Sequence, residues 1–221
     1  MDKVQLSDRF RSHITSAGFP CVGAKAALSK GQLDILTARD IRSNWDDVRI
    51  YDGLLAIVER YRENNAMFQS FAVVFEGPSH LDEKTFERHL WERAESLTNK
   101  DVWHDQEPDT RVSNDPADPH FSLSFGKEAF FIVGLHPQAS RPARRFESPA
   151  LVFNLHDQFV RLREDGRYER MRELIISKDV DLSGSENPML ARHGESSEAR
   201  QYSGRNVSEG WQCPFRPVAR R

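Results

Sequence analysis

Two apolar segments, residues 120–125 and 129–135, are separated only by Gly126-Lys127-Glu128, and strands joined so closely must run antiparallel. That hairpin excludes an all-parallel α/β sheet. Around it the order reads strand, helix, strand, strand, then strand, helix. Residues 71–76 form an apolar run closed by Gly77-Pro78, and Ser79 with Asp82 has capping-box spacing. Phe86, Leu90, Ala94 and Leu97 then recur every three or four residues, the period of one helix face. Residues 150–155 form a further strand, leading into a helix with Phe159, Leu162, Tyr168, Met171 and Leu174 inward and a break at Asp165-Gly166. Helices over 7–17, 24–28 and 52–64 precede all of this. The expectation is an α+β fold with a mixed or antiparallel sheet, a ferredoxin-like β-α-β-β element and a helical N-terminal layer. A single domain spans 1–221, with a helical part (1–66), an α+β body (67–182) and a site-lining C-terminal segment (183–221). Residues 99–119, rich in Asp and Pro, read as a long surface loop or flap.

Charge divides the chain unevenly. Residues 187–221 hold six Arg and three Glu with no Lys or Asp, a net +3, so the total of −3 leaves −6 on residues 1–186. Arginine alone is the choice where carboxylates or phosphates are held by a fork of N–H groups, although a basic tail also serves solubility. The stretch 187–215 carries Glu195, Glu198, Arg200, Tyr202 and Arg205 with few apolar anchors, and reads as the lining of a site. Mean hydropathy of −0.66 and the absence of any apolar run near ~20 residues predict a water-soluble, cytoplasmic protein without a membrane partner. A pI near 6.3, with no aromatic residues interleaved among the basic ones, argues against nucleic acid.

Two cysteines are too few for a disulfide scaffold. Cys21 stands in Phe19-Pro20-Cys21-Val22-Gly23-Ala24-Lys25, just before a helical run, where backbone N–H groups can face the sulfur and lower its pKa. Such a Cys-x-Gly turn is similar to the iron-ligand turns of heme-thiolate oxygenases and nitric oxide synthases, and equally suits a buried structural thiol. His136, at a strand end, is the rival iron ligand, and Arg141, Arg144 and Arg145 follow it closely enough to hold a dianionic edge. Asn154 and His156 stand at a strand-to-helix junction, Asn154 suited to capping and His156 to facing a pocket. Nucleotide-binding glycine motifs, His-Glu-x-x-His and Gly-x-Ser-x-Gly are absent.

These motifs in order, together with Gly134-Leu135-His136-Pro137, Phe153-Asn154-Leu155-His156-Asp157-Gln158-Phe159, Asn187-Pro188-Met189-Leu190, the run from Gly194 to Arg205, and Trp211-Gln212-Cys213-Pro214-Phe215, resemble the YqcI/YcgG family nearly end to end. Members with assigned roles are similar to heme-dependent N-hydroxylases of guanidine groups. The resemblance implies heme b with Cys21, or alternatively His136, as axial ligand and O2 as co-substrate. The implied partners are a small guanidine substrate and an external ferredoxin- or flavin-type reductase, and a homodimer is compatible with it. It further implies Glu195, Glu198, Asn154 and Tyr202 toward substrate, Arg141, Arg144, Arg145, Arg200 and Arg205 toward the heme propionates, and His156 or Ser140 as proton source. Two other classes stay open: a heme carrier or gas sensor without turnover, and a non-heme protein that binds an anionic partner.

Overall fold

The computed structural model describes residues 3–191 and 194–216; Arg192, Arg220 and Arg221, counted in the C-terminal charge, lie outside the described residues. The elements are α1 (Lys3–Thr15), α2 (Val22–Ser29), β1 (Leu33–Asp40), α3 (Asp47–Asn64), β2 (Ser70–Gly77), α4 (Glu83–Trp103), β3 (Leu123–Phe125), β4 (Glu128–Leu135), a 3-10 turn (Pro142–Arg144), β5 (Ala150–Leu155), α5 (His156–Glu164), α6 (Tyr168–Ser183) and α7 (Ala199–Tyr202). Five strands form one mixed sheet in the order β1-β2-β5-β4-β3. Only β1 and β2 are parallel. The β3–β4 hairpin turns at Gly126 (φ +57°), and β5 inserts antiparallel between β2 and β4, so the β2-α4-β3-β4 run is split by a later strand. The α+β class is therefore observed. Among the described residues no helix is long and apolar enough to cross a membrane.

The expected helical layer over 1–66 is corrected by β1. Leu33 and Ile35 pack on one side of the sheet and Leu36 and Ala38 on the other, so both faces of this strand are covered and the alternation that marks a half-exposed strand is missing. Helix α4 also runs past Leu97 to Trp103, and its N-cap is Asp82, whose carboxylate accepts the Thr85 N–H at 2.7 Å. The loop that follows is pinned to the hairpin rather than free as a flap. Buried Asp109 accepts the Ala129 N–H at 3.0 Å and is held by Arg111.

Side-chain alternation along the strands feeds two cores. Phe71, Val73 and Phe75 of β2 face α3 and α4, where Leu54, Phe86 and Trp91 are fully buried. Ala72 and Val74 face the other way, toward Leu6, Phe10 and Ile14 of α1. Burial of each large side chain contributes ~1.5–3 kcal/mol. The α3/α4 face is filled by aromatic contacts, including Trp91–Tyr202 at 5.7 Å and Phe125–Phe130 at 5.9 Å. Helices α5 and α6 meet at Gly166 (φ +68°), and α6 ends on Gly184 (φ +74°), conformations that favour glycine. Helix α6 packs on α2, α5 and the 3-10 turn, standing away from the sheet.

At Gly134 in β4 an added Cβ would lie 2.7 Å from the Phe86 ring and 3.0 Å from the Tyr202 carbonyl oxygen. Gly134→Ala should cost about 1–3 kcal/mol through overpacking. A lowered urea midpoint with unchanged slope is the expected observation, and an unshifted midpoint would refute the close approach of α7 to this strand.

Candidate functional site

The standoff of α6 leaves a cavity of about 280 Å³ on the sheet face opposite α3 and α4. Its floor is built from alternate strand residues: Phe131, Val133 and Leu135 of β4, Val152 and Asn154 of β5, and Ser70 of β2. Phe10, Phe19 and Phe68 wall one side, and Met171, Ile175 and Ile176 of α6 roof it. Few polar groups reach this apolar space: the Cys21 thiol, the guanidinium groups of Arg141 and Arg144, Ser70, Asn154, Gln158, Asp179 and Asn187.

Pro20 leads the chain into α2, and Cys21 takes the extended backbone conformation of an N-cap. Its sulfur accepts the Ala24 N–H at 3.4 Å. Burial nevertheless pushes the Cys21 thiol up, and outweighs the N–H groups of Ala24 and Gly23 and the charges of Arg144 and Lys25 that pull it down. The expected lowering by the turn alone is thus corrected: on desolvation the sulfur keeps its proton until a further positive charge reaches it.

That positive neighbourhood is supplied in part by Arg144. Its guanidinium donates to the carbonyls of Gly134 (3.1 Å), Gln201 (3.1 Å) and Tyr202 (3.4 Å). Among the described residues no carboxylate lies within ion-pair distance of it, and burial lowers its pKa to about 10. Arg141 differs. Its Nη2 meets Asp179 Oδ2 at 2.5 Å and the Ser185 carbonyl at 2.9 Å.

Apart from Asn154, the remaining sequence-predicted site residues do not line the cavity. His136 follows Leu135 and so points to the other face, where it is 1% exposed and stacks on Phe86 at 4.4 Å; this separates it from Cys21 and removes it as a rival ligand for the same pocket. His156 lies 3.4 Å from Glu198, and Glu198 accepts from Ser122 Oγ at 2.9 Å. Tyr202 is fully buried, its hydroxyl donating to the Phe130 carbonyl at 3.2 Å. Ser140 donates from both its N–H and its hydroxyl to Glu83 on the surface. Glu195 is exposed. Arg145 donates to the carbonyls of Ala139 and Ser140 and Arg200 to that of Ser208, while Arg205 pairs with Glu87 at 2.5 Å. Asn154 does line the cavity, but it caps no helix: its Oδ1 accepts from Ser70 Oγ at 2.8 Å.

The C-terminal stretch is therefore a clasp more than a wall. Among the described residues of 187–215, only Asn187 and Leu190 line the cavity. Sequence reasoning missed Ser70, Gln158 and Asp179. For Asp179 a signal existed, because Met171, Ile175 and Asp179 recur every four residues and so share one helix face. A carboxylate on an apolar face is the informative kind of exception.

The sequence model of the YqcI/YcgG family matches residues 10–216. No curated protein and no solved structure matches the chain.

Burial lowers the pKa of His136, outweighing the opposing pull of Glu83 and Asp82. A folded-state value below the ordinary 6.5 means that the neutral ring's contribution is complete above 6.5 and is lost as pH falls below it. The urea midpoint should drop between pH 7 and pH 5, and the drop should be smaller in His136→Leu. Equal drops in the two proteins would exclude His136 as a source of the acid sensitivity.

Proposed function

Because the chain belongs to the YqcI/YcgG family, we propose that it is a heme-dependent oxygenase that hydroxylates a guanidino nitrogen of arginine or a related small guanidine, with Cys21 as the iron ligand. The observation that carries this reading is the placement of one thiol at a helix N-terminus, in an apolar cavity, beside a half-buried cation that has no carboxylate partner among the described residues.

The residues fit such a group. A porphyrin iron would need one strong donor, apolar walls and cationic side chains for its carboxylates. Cys21, the phenylalanine walls, and Arg141 with Arg144 supply these three. The volume does not match as it stands: at about 280 Å³ the cavity is smaller than a porphyrin, so heme would enter only with an outward movement of α6. When bound, heme would supply activation of O2: with two electrons from an external ferredoxin- or flavin-type reductase and two protons, one oxygen atom enters an N–H bond and the other leaves as water.

The chain's own residues would do the rest. Cys21 must give up its proton to bind iron, and burial opposes that. The Ala24 N–H and the charge of Arg144 favour the deprotonated sulfur, so the metal's own charge has less left to supply. The aromatic walls exclude water from the reacting nitrogen. In this reading Ser70, whose hydroxyl donates to Asn154 on the cavity floor, takes the proton-carrying role in place of His156 and Ser140.

Expression with iron and a heme precursor should give a protein with a Soret band and, as the ferrous-CO form, a thiolate-type spectrum. Cys21→Ser should remove the thiolate-type band. A colourless wild-type protein would overturn the heme reading, and an unchanged spectrum in Cys21→Ser would exclude that ligand. Mass spectrometry should find a product 16 mass units heavier from arginine or a related guanidine in the presence of a reductant. Bound heme with no product from any guanidine would favour the carrier or sensor.

A further inference from the structure

Glu195 and Glu198, the carboxylates expected to hold a guanidinium substrate, do not line the cavity, which leaves the question of what would. Among the described residues lining it, Asp179 is the one carboxylate. It is 7% exposed and projects from α6 on the same face as Met171 and Ile175. One of its oxygens, Oδ1, accepts from Ser183 Oγ at 3.1 Å; the other, Oδ2, takes Nη2 of Arg141 at 2.5 Å. The occupant of this carboxylate is thus itself a guanidinium.

Its grip is one-sided. Arg141 offers Asp179 only Nη2, while Nη1 turns to the Glu186 carbonyl at 3.3 Å and Nε is buried without a hydrogen-bond partner. The strong form of this pairing places two parallel N–H groups on the two carboxylate oxygens. A small guanidinium arriving through the cavity is not tethered to the 3-10 turn as Arg141 is, and can adopt that form. Exchange of one guanidinium for another also leaves Asp179 neutralised throughout, which avoids the cost of an uncompensated buried charge. Arg141, once displaced, keeps its contacts with the carbonyls of Ser185 and Glu186 and stands free to meet an anionic group.

Resting on the guanidine reading above for the class of ligand, we propose that Asp179 is the substrate's guanidinium-binding residue and that Arg141 is an internal competitor for it, holding the site closed until substrate arrives. The two members of one ion pair then have opposite effects. Removal of Asp179 removes the site; removal of Arg141 removes the competitor. A pair that only stabilises α6 would give losses of the same sign from both.

The test is a calorimetric titration of the full chain as purified, its heme content recorded by absorbance, with L-arginine, agmatine and the neutral isostere L-citrulline. Arginine and agmatine should bind and citrulline should not. Asp179→Asn should weaken binding of both guanidines by about tenfold or more, equivalent to ~1.4 kcal/mol, and Arg141→Gln should tighten it. Wild-type affinity in Asp179→Asn, or weakened binding in Arg141→Gln, would overturn the proposal. If Asp179→Asn does not fold, the direction of the Arg141→Gln effect decides alone. A colourless protein that still binds guanidines with these opposite effects would separate this inference from the heme reading, and a heme-loaded protein without them would do the reverse.

Discussion

The half-buried guanidinium of Arg144 joins the parts of this molecule that matter for function. It donates to carbonyl oxygens at the end of β4 and in α7, so one side chain bridges the sheet and the C-terminal segment, beside the Tyr202 hydroxyl's bond to Phe130. The same group stands near the Cys21 sulfur and lines the cavity. Carbonyl dipoles solvate a cation only in part, and the depressed pKa registers the remaining cost of burying it. A second negative group close by, whether thiolate or ligand carboxylate, relieves that cost. Closure of the C-terminus, sulfur ionisation and anion binding therefore share one electrostatic term.

The two faces of the sheet divide the labour. Aromatic packing against α3 and α4 fills one face, and His136 belongs to that packing. The opposite face is covered at one end by α1 and α2 and spanned at the other by α6, with space beneath. Alternation along β4 decides which side chain serves which face: Leu135 faces the space, and His136, one residue later, is core.

This is also where the sequence stops being legible. The hairpin, β2, α4, the α5–α6 break and the α+β class follow from turn residues and apolar periods, which are local. Strand β1 was hidden because it is covered on both faces, with Asp34 at the sheet edge held by Arg60. Cys21, Arg141, Arg144 and Asn154 are site candidates from sequence alone and do line the cavity. His136, Glu198 and Tyr202 carry equally polar letters, yet their direction depends on register and on the path of the returning C-terminus, neither of which is encoded nearby. The arginine-rich stretch misled for a related reason. Arginines that donate to backbone carbonyls or pair with Glu87 look, as letters, the same as arginines that await a ligand.

Helix α6 hangs between two left-handed glycines and rests on α2, α5 and the 3-10 turn, away from the sheet. Its apolar underside, Met171, Ile175 and Ile176, faces the cavity in place of a packed layer. The helix that carries Asp179 thereby has apolar contact to gain from a guest. Occupancy and docking of that helix form a single equilibrium, and the molecule's ligand doubles as the missing piece of its second core.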